Sequence, residues 1–403
     1  MSGGGTGGAG GAGTSAGGAA GSMDGSAGAG GAGKGGGGTG GNAGAGTGSG
    51  GTSGAGGSGG GGAGTGGADA GRADTGRPDA GGADGAGGSA GSADGGGRDT
   101  GATDGGGQDG GARDGGMTKF AGNITTQGQV RSDFINFWDQ ITPENEGKWG
   151  SCEPNRNQMN WTGMDRVRDY ARQHGIRYKQ HNFVWGAQQP GWISGLPESE
   201  QRAEVEEWIR LFCERYPDVA MIDVVNEPPP HTTPPYVNAL GGTGSSGYDW
   251  IVQAFRWARQ YCPNAILILN DYNTIELQGD NNHIIDIANR IKAAGAPIDG
   301  VGAQAHGTAN LTATAVETFI NRIASMTSLP VYITEYDLNI ADDNQQRDVM
   351  QSQFTMFWNN TNVKGITLWG YVSGATWLPN TGLMSSTGQK RPAMVWLMGF
   401  LGR

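Results

Sequence analysis

The first 116 residues contain no Val, Ile, Leu, Phe, Trp or Tyr. A segment without them has nothing to bury against the entropy of ordering its backbone. Disorder is therefore the expectation for residues 1–116. From residue 69 to 114 an Asp recurs at five-residue steps, with Ser89 filling the one missing phase. That repeat lacks both the nine-residue period and the inward apolar positions of a calcium-binding β-roll, so a solvated spacer fits it better. As a flexible coil its ends would lie on the order of 60 Å apart, taking about 5 to 6 Å times the square root of its length.

Every aromatic residue of the chain lies in residues 117–403, a length that suits one large domain. Of the formal charge of -11, the spacer holds 10 Asp against 5 Lys or Arg, which leaves 28 acidic and 22 basic residues for the domain. An acidic surface argues against nucleic acid and anionic membranes as partners. There is no apolar run long enough to span a membrane, and no charged-then-apolar leader opens the chain. An export signal is expected to be absent or to lie upstream of Met1. Secretion, or display at a cell surface through the spacer, is the expected location, and a monomer the expected state. The three cysteines are too few for a disulfide scaffold and lack metal-ligand spacing. Cys213 and Cys262 close successive helical patterns, so buried thiols and a disulfide between neighbouring helices both remain open.

Within the domain, short apolar runs alternate with helical patterns. Strands are expected at Phe120 to Ile124, Asp139 to Thr142, Ile176 to Val184, Val219 to Val225, Ala265 to Asn270, Gly300 to Gln304, Val331 to Thr334 and Gly365 to Trp369. Between them, Thr162 to His174, Glu198 to Tyr216, Tyr248 to Tyr261, His283 to Ala294 and Val316 to Met326 read as helices, with caps or a closing Gly or Pro near their ends. Eight strand and helix units predict an α/β fold of the (β/α)8 barrel type, whose ligands sit at the carboxyl ends of the strands. A doubly wound sheet is the alternative, but no glycine-rich phosphate loop follows the first strand.

At those strand ends the residues change character. Met221-Ile222-Asp223-Val224-Val225 stops at Asn226-Glu227-Pro228, and Val331-Tyr332-Ile333-Thr334 stops at Glu335. The other ends deliver Glu144, Asn145 and Lys148, then His181 and Trp185, then Asn270, Asp271 and Tyr272, then Gln304 and His306, then Asp337, and finally Trp369 and Trp377. Two carboxylates on different strands, hydroxyl-binding amides and imidazoles, and tryptophan faces make a sugar site with paired acid chemistry. Trp161, Trp208, Trp250, Trp257, Trp358 and Trp396 lie in or beside helical patterns and are expected in the core.

These residues resemble those of the family 10 glycoside hydrolases, the endo-1,4-β-xylanases. The matching strings are Thr142-Pro143-Glu144-Asn145-Glu146-Gly147-Lys148-Trp149, His181-Asn182-Phe183-Val184-Trp185, Asp223-Val224-Val225-Asn226-Glu227, Asn270-Asp271-Tyr272-Asn273, Gly302-Ala303-Gln304-Ala305-His306, Ile333-Thr334-Glu335-Tyr336-Asp337 and Leu368-Trp369-Gly370. They follow the family's order across nearly all of residues 120–403. The resemblance implies Glu227 as general acid/base, Glu335 as nucleophile, Asn226 as the amide for the sugar 2-hydroxyl, and His306, supported by Asp337, as the imidazole on the nucleophile. It implies Glu144, Asn145, Lys148, His181, Trp185, Gln188, Gln304, Trp369 and Trp377 on the glycone side and Tyr272 on the aglycone side. Xylan or xylo-oligosaccharides would be the substrates, with no metal and no organic cofactor. Two positions depart from the family: Gly186 stands where a histidine is usual, and Tyr371-Val372-Ser373 replaces Val-Thr-Asp. Both are expected near the sugar-binding face.

The implied chemistry is double displacement with retention. Glu335 must stay anionic to attack the anomeric carbon. Glu227 must begin protonated, kept so by the charge of Glu335, and turn base once the glycosyl ester forms. The rival readings are another retaining β-1,4-glycanase, such as a glucanase, and a non-catalytic polysaccharide-binding surface protein.

Overall fold

Val, Ile and Leu crowd into runs too short for helices and too apolar to leave a face in water, so they fold as parallel strands covered on both sides. The computed structural model describes residues 118–403; the spacer assigned to residues 1–116 lies outside them. The strands are β1 (Phe120–Ile124), β2 (Gln140–Thr142), β3 (Arg177–Trp185), β4 (Met221–Asn226), β5 (Ile266–Asp271), β6 (Gly300–Ala303), β7 (Val331–Tyr336) and β8 (Val363–Leu368). They close in sequence order into a barrel in which every neighbouring pair is parallel. Around it lie α1 (Trp149–Cys152), α2 (Thr162–His174), α3 (Glu198–Arg215), α4 (Asp249–Tyr261), α5 (Gln278–Ala293), α6 (Ala313–Thr327), α7 (Asp343–Asn359) and α8 (Pro392–Leu401). This is the expected (β/α)8 architecture. Local chemistry sets the helix ends: α2 stops at Gly175, whose φ of 65° suits a glycine, and the side chains of Thr312 and Asp342 cap the starts of α6 and α7.

One connection is irregular. Between β1 and β2 the chain makes only a single 3-10 turn, Phe134–Asn136. Phe134, Phe137 and Trp138 fill the space instead, each meeting the buried ring of Tyr371 edge-on with centroids 6.3, 6.2 and 5.5 Å away. Tyr371 thus packs in the core beside this connection, which is why a tyrosine stands at that departure from the family pattern.

Alternation along the strands separates two cores. Leu267 and Leu269 of β5, with Val331 and Ile333 of β7, pack outward against the helices, whereas Ile266, Ile268 and Tyr332 join Phe120 and Met221 in a separate cluster inside the barrel. Small residues make room for it. A Cβ on Gly365 would lie 2.1 Å from the ring of Phe120, and one on Gly302 would lie 2.3 Å from the Asn270 amide oxygen. Towards the carboxyl end the interior becomes polar, with Lys179, His181, Asp223 and Asn270 all buried. Trp208, Trp250 and Trp257 are buried, and Trp161, Trp358 and Trp396 pack partly exposed against the outer core.

Cys213 of α3 and Cys262 just after α4 form a disulfide, with Cα atoms 5.2 Å apart and a sequence separation of 49. Closing a ring of that size stabilises the fold by about 4 kcal/mol in the chain-entropy treatment. Cys152 is free and buried.

Candidate active site

β4 ends at Asn226, and Glu227 follows with φ of 49°, a left-handed backbone that a glutamate keeps only where its surroundings hold it. Its N–H donates to the Asn270 carbonyl (2.9 Å), and its own carbonyl accepts from the N–H and hydroxyl of Thr232 (3.1 and 2.6 Å). Two neutral groups hold the side chain: the Trp185 indole N–H donates to Oε2 (2.9 Å) and the Gln304 amide donates to Oε1 (3.1 Å). Gln304 and Asn270 also donate to Oδ1 of Asn226 (3.3 and 2.8 Å). With that oxygen occupied, the Asn226 amide has its N–H groups to offer a hydroxyl.

Glu335, at the end of β7, is 4% exposed and differently surrounded. Asn270 donates to Oε1 (2.8 Å), His306 Nε2 lies 3.3 Å from Oε2, and His181 Nδ1 lies 3.9 Å from Oε1. His306 Nδ1 faces Asp337 Oδ2 at 3.2 Å. Burial by itself would raise the pKa of Glu335, but the His181 and His306 imidazoles and the Lys179 ammonium outweigh it and bring it down to about 2. Burial likewise opposes the charge on His306, and Asp337 and Glu335 together push its pKa up to about 10. At neutral pH Glu335 is therefore a carboxylate, and His306, which lies between it and Asp337, an imidazolium.

Lys179 and Asp223 were not among the expected site residues. They form a fully buried ion pair in the barrel (2.6 Å), and the same Asp223 oxygen meets His181 Nδ1 (2.9 Å). The legible signal was a period of two: Lys179 and His181 share one face of β3, and the facing strand places Asp223 opposite His181.

The remaining residues group on either side. Lys148 donates to Asn145 Oδ1 (3.0 Å) and sits 5.1 Å from the Trp185 ring centroid, and Gln188 reaches the same Asn145 oxygen at 3.4 Å. Burial pushes the Glu144 carboxyl up to about 7 despite the neighbouring Lys148 ammonium. Trp369 stands edge-on to His181 (5.1 Å). Trp377 is 51% exposed, donates its indole N–H to Asp337 (2.6 Å) and keeps its ring 4.7 Å from that of His306. Tyr272 lies apart from these, stacked on His231 with ring centroids 3.8 Å apart. At Gly186 a Cβ would lie 2.6 Å from both Thr232 Cβ and Thr233 N, so the loop after Glu227 occupies the place of a side chain there. Gly186 therefore packs under the loop beside the carboxylates, whereas in the other departure Tyr371 and Val372 are buried and Ser373 is exposed. Among the described residues no group of three His, Cys, Asp or Glu side chains is arranged to hold a metal ion.

A parallel barrel whose carboxyl rim carries two carboxylates from separate strands, ringed by amides, imidazoles and indoles, has the make-up of a carbohydrate-processing barrel. Comparison with known proteins narrows the class. Residues 111–399 match Glycosyl hydrolase family 10, and the chain belongs to that family. It is 51% identical over 280 residues to Endo-1,4-beta-xylanase B of Cellvibrio japonicus, an alignment covering 70% of this chain and 45% of that protein. The chain thus spans less than half the length of that relative. It is 31% identical to Endo-1,4-beta-xylanase B of Humicola insolens, over 63% of this chain and 73% of that one. Among solved structures, native xylanase 10B from Thermotoga maritima superposes with a TM-score of 0.63 at 25% identity, covering 71% of this chain and 95% of that one. No helix among the described residues is long and apolar enough to cross a membrane.

Proposed function

We propose that the chain is a retaining endo-1,4-β-xylanase in which Glu335 is the nucleophile and Glu227 the general acid/base. The observation that carries this reading is the contrast between the two carboxylates. Glu335 is buried among positive groups that keep it ionised, as attack on an anomeric carbon requires. Glu227 is oriented by the Trp185 indole and the Gln304 amide, neither of which carries a charge. In the first step a Glu335 oxygen bonds to the anomeric carbon as the glycosidic C–O bond breaks and Glu227 protonates the departing oxygen. In the second, Glu227 takes a proton from water, the water oxygen bonds to the same carbon, and the ester to Glu335 opens. Asn226 would hold the 2-hydroxyl of the reacting sugar. Glu144, Asn145, Lys148, His181, Trp185, Gln188, Gln304, Trp369 and Trp377 would line the glycone side, with Tyr272 across the scissile bond. Residues 117–403 form the catalytic domain in this reading. Residues 1–116 are a spacer that lets it act outside the cell or at its surface.

Digestion of glucuronoxylan, arabinoxylan and carboxymethyl-cellulose tests the assignment. Xylo-oligosaccharides should appear from both xylans, with the β-anomer first by proton NMR, and the cellulose derivative should stay intact. Comparable turnover of carboxymethyl-cellulose would move the reading to a β-1,4-glucanase. The α-anomer appearing first would remove the retaining mechanism.

A further inference from the structure

The loop after Glu227 turns back on itself and is pinned at three places. His231 N–H donates to the Pro228 carbonyl (3.1 Å), the Pro229 carbonyl meets the His283 ring of α5, and the Thr232 hydroxyl accepts from Gly186 N–H (3.2 Å). The turn delivers the His231 ring to the next unit of the barrel. There Nδ1 lies 2.7 Å from Asp271 Oδ1 and Nε2 lies 3.3 Å from Asp280 Oδ1, so each ring nitrogen faces a carboxylate. That pairing calls for a proton on both nitrogens. Burial disfavours the charged ring, but Asp271, Asp280 and Glu227 outweigh it and raise its pKa. The imidazolium stacks on Tyr272 with an interplanar angle of 14°. Asp271 Oδ1 also accepts from the Tyr272 N–H (2.9 Å), so one oxygen ties both the cation and the backbone of the residue it stacks on. Tyr272 itself remains partly exposed.

We infer that His231 is a positioning residue for the aglycone side of the cleft, its ring held by Asp271 and Asp280 so as to fix the face that Tyr272 presents to the leaving sugar. This rests on the proposed xylanase reading, which gives Tyr272 its sugar. The family resemblance assigns His231 no role. The linkage also ties the aglycone platform to the acid/base residue, because His231 lies in the same short loop whose Thr232 holds the Glu227 carbonyl.

The test compares wild type, His231→Gln, Tyr272→Ala and the double variant in the full chain. Two substrates are needed. Xylotetraose requires an aglycone sugar, whereas with dinitrophenyl xylobioside the phenolate leaves unaided and kcat is set by hydrolysis of the intermediate. His231→Gln should lower kcat/KM on xylotetraose roughly three- to tenfold, the worth of one aromatic or cation–π contact, while kcat on the aryl glycoside stays within about twofold. Transfer to added xylobiose, measured against hydrolysis, should fall with it. The double variant should match Tyr272→Ala alone, because His231 acts through that ring. Asp280→Asn, which removes the more exposed half of the clamp, should give a smaller change in the same direction and serves if His231→Gln does not fold. Equal losses on both substrates, additive losses in the double variant, or unchanged kinetics on xylotetraose would overturn the inference. A wild type inert on xylotetraose would instead overturn the xylanase reading beneath it.

Discussion

The ends of β4 and β7 each carry one carboxylate, and the barrel treats them differently. Around Glu335 it gathers His181, His306 and Lys179, so that a fully buried acid has a pKa of about 2. Around Glu227 it places an indole and an amide, and bends the backbone to aim the side chain. Under the proposed roles, the group that must remain an anion lies among imidazoles and an ammonium that favour its charge, whereas the one that must give and retake a proton is oriented by two uncharged donors. Fold and electrostatics thus divide the labour: strand ends place both acids on one rim, and the interior beneath them makes them unlike.

The harshest way to break the comparison is Glu335→Ala. Under the proposed roles no other residue can form the ester, so turnover of every glycoside should fall by a factor on the order of 10⁴ or more. Azide should then restore turnover with inversion, since a small anion can attack from the vacated side. A variant that kept substantial activity would place the nucleophile elsewhere.

Glu227→Ala sharpens the contrast because its effect should depend on the leaving group. Xylan hydrolysis should drop by roughly 10² to 10⁴, the usual worth of proton transfer, while dinitrophenyl xylobioside still gives a fast burst of phenolate. In this variant azide should yield a product of retained configuration. The same configuration of azide product from both variants would exchange or abolish the assigned roles.

The smallest effect is on pH. His306→Asn removes one of the charges that hold Glu335 down, so the acid limb of kcat/KM should move up by about one pH unit. Stability should respond as well. The pKa of Glu335 falls from 4.5 to about 2 on folding, so its contribution is complete above 4.5 and is lost as pH falls towards 2. The pKa of His306 rises from 6.5 to about 10, so its contribution is complete below 6.5 and fades as pH climbs towards 10. Melting temperature should therefore peak between those windows, and the variant should show a flatter alkaline decline. An unchanged alkaline slope would show that the His306 charge does not support the fold.

The barrel was legible because short apolar runs, clearest in β4, β5 and β7, alternate with helical patterns, and the strand ends moved by only a few positions: Val331 to Thr334 became Val331–Tyr336. The sites of both glutamates were legible for the same reason, an apolar run cut short by a carboxylate. Helix α7 gave a weaker signal because Gln346 and Gln353 lie on its buried face, bonded to loop carbonyls. The Lys179–Asp223 pair was not legible: Asp223 stands inside the apolar run of β4, and Lys179 is one of several polar residues along β3. His231 was harder still, since its partners Asp271, Tyr272 and Asp280 come from the next unit and no local spacing connects them. Tyr371 and Gly186 read alike as departures near the sugar face, and only packing shows that the first belongs to the core.

The disulfide has a topological consequence. Cys213 and Cys262 lie on either side of β4, so the ring they close contains Glu227, the whole loop that carries His231, and helix α4. The exposed stretch Thr243, Gly244 and Ser245 falls inside that ring. A protease that cuts there does not divide the chain: the two pieces stay covalently joined through Cys213 of α3 and Cys262 after α4, and Glu227 stays on the piece that α3 leads into. The segment that holds Glu227 is thus the one stretch of the barrel that can be nicked without losing its covalent link to the rest.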